Sequence, residues 1–206
     1  MTRDTASEVL KACPDVEWKL IFALSRFGGL RCPSEHLALK WGHIDWEHHR
    51  ITVPSPKTAH HAGGESRLIP LFPELRPHLE AAFNEAEPGS EHVISHHRTG
   101  NANLRTQFQR ILEKAGIPAW PKLFHNLRAT RQTELAADFP LHVVCRSIGN
   151  STEIVNKHYL SVTENDYLRG AGLGDDQSKG SEAAQNAAQQ AHASSRTESQ
   201  AKSPPP

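Results

Sequence analysis

Cysteine is sparse in this 206-residue chain: Cys13, Cys32 and Cys145 stand far apart. No pair has the spacing of a zinc site, and three scattered thiols fit a reducing compartment better than a disulfide framework. Long apolar runs are missing too. Nothing approaches the roughly 18 apolar residues of a membrane span, and the first residues lack the basic, apolar and small-residue order of a secretory signal. The expected location is cytoplasmic, without a membrane. Net charge is absent as well, 23 Lys and Arg against 23 Asp and Glu, which argues against a simple basic nucleic-acid binder. Tyrosine is rarer still. Only Tyr159 and Tyr167 occur.

What is present is unevenly spread. Residues 1–90 carry 10 Lys/Arg and 12 Asp/Glu, whereas residues 91–160 carry nine and five. The basic part is therefore 91–160, as a phosphate-binding face requires. Histidine is abundant, with 14 residues and adjacent pairs at 48–49, 60–61 and 96–97. Neighbouring side chains point to different sides of a helix or strand, so the pairs chelate poorly and no metal is expected.

The periodicities predict an α+β domain, mostly helical, with a small three-stranded antiparallel sheet to one side and no internal repeat. Residues 1–13 are polar and are expected to be a flexible leader. Asp15 caps a helix through Trp18, Ile21, Phe22 and Leu24, which Gly28-Gly29 ends. A second helix opens at Pro33 and runs through Leu37 and Leu39. Residues 44–46 and 50–53 alternate as a hairpin around Glu47-His48-His49, and 67–71 form a third strand. Lys57 lies on the loop between strands two and three. Helices follow from Pro73 to about Glu85, with Leu75, Leu79, Ala82 and Phe83 inward, and from Asn101 or Asn103 to Gly116. The next helix carries His125, with Leu127 and Leu135 inward and Arg128 and Arg131 outward. Asp138-Phe139-Pro140 breaks it. Leu141–Ile148 is helical, and Ser151 caps a further helix bearing Tyr159. The folded domain is expected over 14–169. Residues 170–206, rich in Gln, Ala and Ser and closed by Pro-Pro-Pro, are expected to be a disordered tail.

The motifs fall in an informative order. Gly-Gly-Leu-Arg-Cys-Pro-Ser-Glu spans 28–35, Pro-Lys-Thr spans 56–58, and Phe-His-Asn-Leu-Arg-Ala-Thr-Arg spans 124–131. Ser-Ile-Gly-Asn at 147–150 and Asn-Lys-His-Tyr-Leu at 156–160 complete the set. His125 and Arg128 share one helix face, and Tyr159 comes nine residues after Asn150. Together these elements resemble the tyrosine recombinases, the phage-integrase family, across roughly residues 14–169. One place departs from the pattern: Asn150 stands where the family has His or Trp.

The resemblance implies site-specific DNA cleavage and rejoining through a 3′-phosphotyrosyl intermediate. Tyr159 would be the nucleophile, and Arg31 and Arg128 would hold the phosphate oxygens. Lys57 would protonate the leaving 5′-oxygen, and His125 would accept the tyrosine proton or orient the phosphate. Asn150 would stand in as a neutral donor, or would only terminate its helix. Glu35 would brace Arg31, or would serve only as a first-turn acid favoured by the helix dipole. Partners would be double-stranded DNA and further copies of the chain on it, the latter through residues after Tyr159. No cofactor is implied. Two other outcomes fit the same motifs, a catalytically impaired DNA-binding remnant and a type I topoisomerase-like relaxation of DNA. A histidine-rich metal-binding interaction surface is a third contender.

Overall fold

The computed structural model describes residues 1–56, 64–98 and 103–150, which belong to one compact unit. The expected tail at 170–206, the Ser151 helix, Lys57 and Tyr159 lie outside the described residues.

The core is built on helix α2 (Val16–Arg26). The Asp15 carboxylate accepts the amide of Trp18 at 2.7 Å, so the helix starts where the capping residue dictates. Its apolar residues are not confined to one stripe. Leu20, Ile21, Phe22, Ala23 and Leu24 are all fully buried, as befits a helix covered on every side. Each large side chain of that run contributes roughly 1.5–3 kcal/mol by leaving water. Helices α4 (Arg76–Glu85) and α6 (Leu123–Asp138) pack against it.

Residues 1–13 correct an expectation. They are no flexible leader: Arg3–Ala12 form helix α1, capped by the Thr2 hydroxyl on Thr5 N. Ala6 and Val9 are fully buried, because α1 docks on α2 and on α5 (Leu104–Lys114). Its contact face is made of small side chains, which carry little hydrophobic signal in sequence yet allow close helix approach.

The sheet has order β1-β2-β3, all antiparallel, from Ile44–Asp45, Arg50–Pro54 and Ser66–Pro70. Ile51 lies between Ile44 and Ile69, and Val53 faces Arg67 across the ladder. Ile51, Val53 and Ile69 are buried on one face, whereas Leu68 on the other is exposed. Arg67 shares the buried face with them.

Other boundaries fall close to expectation. Helix α3 covers Ser34–Ala38, and Asn103 rather than Asn101 caps α5, its Oδ1 accepting Thr106 N at 3.0 Å. α7 runs Leu141–Ile148 and ends on Gly149. Helix α4 begins at Arg76, later than the Pro73 start, because Phe72 O closes a turn onto Leu75 and Arg76 first. Phe83 points outward instead of inward: it is half exposed and rests edge-on against Trp41 and Trp46. No helix among the described residues is long and apolar enough to cross a membrane. The three cysteines are free.

Candidate active site

Glu35 is the centre of the site. It sits in the first turn of α3, 1% exposed, and both its oxygens are used. Oε2 accepts the Arg31 amide at 2.7 Å and Oε1 accepts Arg31 Nη1 at 2.6 Å. From the opposite side Arg67 grips both oxygens, Nη1 on Oε1 at 2.6 Å and Nη2 on Oε2 at 2.7 Å. Burial acts to raise the Glu35 pKa, but the bonds and charge of Arg67, then those of Arg31, outweigh it and hold the carboxyl below its ordinary value. Glu35 thus joins Arg31 to Arg67 through both of its oxygens.

The two arginines expected to hold phosphate meet at the end of α7. Arg31 donates through Nη2 to Gly149 O at 2.5 Å. Arg128, from α6, donates through Nη2 to Ile148 O at 2.5 Å and through Nη1 to Gly29 O at 2.6 Å. Two glycines make this convergence possible. Gly29 (φ +67°) lies so close to α7 that a Cβ there would sit 2.6 Å from Ile148 Cδ1. Gly149 (φ +75°) caps α7 in the left-handed region, and a Cβ there would press on Arg67 Cδ at 3.0 Å. Arg128 was expected to face outward. It is buried, as is Arg131, since their guanidiniums find acceptors and carboxylates inside the fold.

Asn150 joins the cluster. Its Oδ1 accepts Arg128 Nη2 at 3.0 Å, and its Nδ2 donates to Gln132 Oε1 at 2.8 Å. Gly149, not Asn150, occupies the helix-ending conformation, so termination does not account for the residue. His125, in the first turn of α6, is exposed, and among the described residues no hydrogen bond holds its ring. Burial, then the charges of Lys122 and Arg128, keep its pKa below the usual imidazole value.

Arg31, Arg67, the exposed Arg146 and Gly149 line a cleft of about 590 Å³ between β3 and α7. Behind it Arg31, Arg67 and Arg128 surround the Glu35 carboxylate, so among the described residues positive charge prevails around the cleft, as an anion site requires. Arg67 was missed as a site residue. Its signal was readable, however: in the alternation of β3 it takes an inward position with Ile69, where a charge must find a partner. Among the described residues no three His, Cys, Asp or Glu side chains come together as metal ligands.

The deciding observation is the extent of the match to one family model, the phage integrase family, which covers residues 1–166. The chain belongs to that family. No curated protein matches the sequence. Among solved structures, the phage-integrase fold recurs in the XerA recombinase at TM-score 0.65 and 17% identity, covering 84% of this chain and 62% of that one. The Tn1549 transposon integrase (residues 82–397), in complex with circular intermediate DNA, aligns at 0.64 and 19%, covering 83% and 64%. The catalytic domain of bacteriophage HP1 integrase aligns at 0.54 and 16%, covering 86% and 89%. This phage-integrase chain spans less than two thirds of the XerA and Tn1549 proteins.

Proposed function

We propose that the chain is the catalytic part of a site-specific DNA recombinase of the tyrosine type, acting on double-stranded DNA. One observation carries this reading most. Arg31 and Arg128, far apart in sequence, are drawn to consecutive carbonyls at the end of α7, beside an open cleft with excess positive charge. The DNA-bound state of the Tn1549 integrase is in keeping with it.

In the proposed reaction the Tyr159 hydroxyl attacks phosphorus. An O–P bond to tyrosine forms as the P–O5′ bond breaks, so the bond energy is kept in a phosphotyrosyl link and no nucleotide is consumed. Arg31 and Arg128 hold the non-bridging oxygens, where charge builds up in the transition state. Neutral His125 takes the tyrosine proton, and Lys57 gives one to the departing 5′-oxygen. Attack by another 5′-hydroxyl reverses the steps and rejoins the strands. Glu35 fixes Arg31 for this work, and Asn150 does the same for Arg128.

The test is a pool of nicked duplexes of randomised sequence, in which the short downstream fragment that bears the freed 5′-hydroxyl diffuses away and leaves the protein trapped on DNA. Wild type and Tyr167→Phe should form a covalent adduct and Tyr159→Phe should not, while Tyr159→Phe still binds duplex. An adduct lost in Tyr167→Phe and kept in Tyr159→Phe would move the nucleophile. No adduct with any duplex, alongside retained binding, would favour a DNA-binding remnant.

A further inference from the structure

We infer that Arg67 is a positioning residue of the site: it locks the strand end that leads to Lys57, the Glu35 brace of Arg31 and the end of α7 into one rigid unit. This rests on the recombinase reading above and extends it to a residue outside the expected set.

The geometry is that of a hub. The Arg67 side chain, 7% exposed, makes four bonds to three separate segments. Besides both oxygens of Glu35, Nη1 reaches Ser55 Oγ at 3.1 Å and Nε reaches Ser147 O at 2.8 Å. Ser55 lies two residues before Lys57, and its amide continues the β2–β3 ladder by donating to Glu65 O at 2.8 Å. Ser147 lies two residues before Gly149, the acceptor of Arg31. The planar fork of a guanidinium suits four acceptors on three segments, whereas an ammonium offers its donors from one point.

Charge points the same way. Glu35 is already partnered by Arg31, so a second buried guanidinium is not needed to neutralise it. Arg67 does two other things. It fixes which way the carboxylate turns, and therefore where Arg31 Nη1 lies. It also adds a positive charge to the wall of the cleft. Because its guanidinium bonds go to protein acceptors, Arg67 acts through Arg31.

The experiment uses the full chain and the best-cleaved duplex from the nicked pool, with single-turnover adduct formation measured at saturating protein. Arg67→Lys should slow cleavage on the order of 10²-fold, the scale of misplacing a reacting group, with duplex affinity within about twofold of wild type. The loss should not multiply with that of Arg31→Lys: the double variant should cleave no more slowly than the slower single one. Multiplying losses, or a rate per folded molecule equal to wild type, would overturn the proposal and leave Arg67 a fold-stabilising ion pair. If Arg67→Lys does not fold, Ser55→Ala removes one of the four acceptors and should give a severalfold loss that again vanishes in the Arg31→Lys background; additive losses there would also overturn it. If wild type forms no adduct, the recombinase reading fails, and Arg67 is judged by nitrogen-15 spectra of the Arg31 guanidinium. Loss of its restrained Nη–H signals in Arg67→Lys would support the positioning role on its own, and unchanged signals would refute it.

Discussion

Helix α6 carries two buried arginines three residues apart, and they belong to two different kinds of charge cluster. On one side Arg128 joins Arg31 and Arg67 around the single carboxylate of Glu35, at 3.8 Å from it. On the other, Arg131 and the fully buried Arg26 meet Glu134 and Glu74. Arg26 is held by both Glu134 oxygens, at 2.9 and 2.5 Å. Arg131 lies 3.3 Å from Glu134 and 3.5 Å from Glu74, with its guanidinium 4.2 Å over the Phe72 ring. Among the described residues the second cluster sets two cations against two carboxylates, whereas the first sets three cations around one. In a balanced buried cluster, removing one partner leaves a charge uncompensated. On the proposed reading, the second cluster holds the fold and the first faces the phosphate.

Mutation of one member from each cluster should break them in opposite ways. Glu134→Ala strands Arg26 without its carboxylate and should cost about 3–5 kcal/mol of stability, with cleavage per folded molecule unchanged. Arg31→Lys should do the reverse. It should slow cleavage by about a hundredfold, on the order of 3 kcal/mol of transition-state stabilisation, and change stability little because Arg31 is partly exposed. Urea unfolding and the adduct rate are the two measurements. Similar profiles for both variants would mean that charge balance does not distinguish the clusters.

The same contrast explains what the sequence could reveal. Local chemistry was legible: Asp15 caps α2, one of the two candidate asparagines caps α5, α7 spans the expected Leu141–Ile148, and the alternation of Ile51, Val53 and Ile69 specifies the sheet. The grouping of Arg31, Arg128 and Asn150 also followed from motif order. What failed depended on tertiary partners. Arg128 and Arg131 look like a solvent face because charge on a helix usually is one, and only acceptors from remote segments reverse that. Helix α1 was lost because Ala6, Val9 and Ala12 give a weak stripe until α5 covers it.

Acid should weaken the protein through a residue next to the unbalanced cluster. His36 is fully buried, with Nε2 3.1 Å from Ser25 Oγ and its ring edge-on to Phe124. Burial pushes its pKa from 6.5 down to about 4, against the opposing pull of Glu35. Between those values the unfolded chain binds the proton and the folded chain does not, so stability falls as pH falls. The loss should be on the order of 3 kcal/mol on going from pH 6.5 to 4. Glu134, held low by Arg26 and Arg131 against burial, should contribute its own loss only at more acid pH. Urea titrations at several pH values should show the slope between 6.5 and 4 in wild type and a clearly smaller one in His36→Gln. Equal slopes would place the acid sensitivity elsewhere.

The smallest expected effects lie in the chain from Arg128 through Asn150 to Gln132. Asn150 spends its oxygen on Arg128 and one Nδ2 hydrogen on Gln132, and the second hydrogen has no acceptor among the described residues. It can therefore orient Arg128 and donate to a phosphate oxygen as well. Asn150→Leu removes both and should lose roughly 1–3 kcal/mol of transition-state stabilisation. Asn150→His should match or exceed wild type, because one ring nitrogen can accept from Arg128 while the other donates. Gln132 is buried and its Oε1 accepts from Asn150, so its influence is expected to pass through the amide. Gln132→Leu should accordingly slow cleavage by about fivefold, near 1 kcal/mol, in the wild-type background and by nothing in Asn150→Leu. Equal losses in both backgrounds would show that Gln132 acts by packing in α6, and the amide relay would be ruled out.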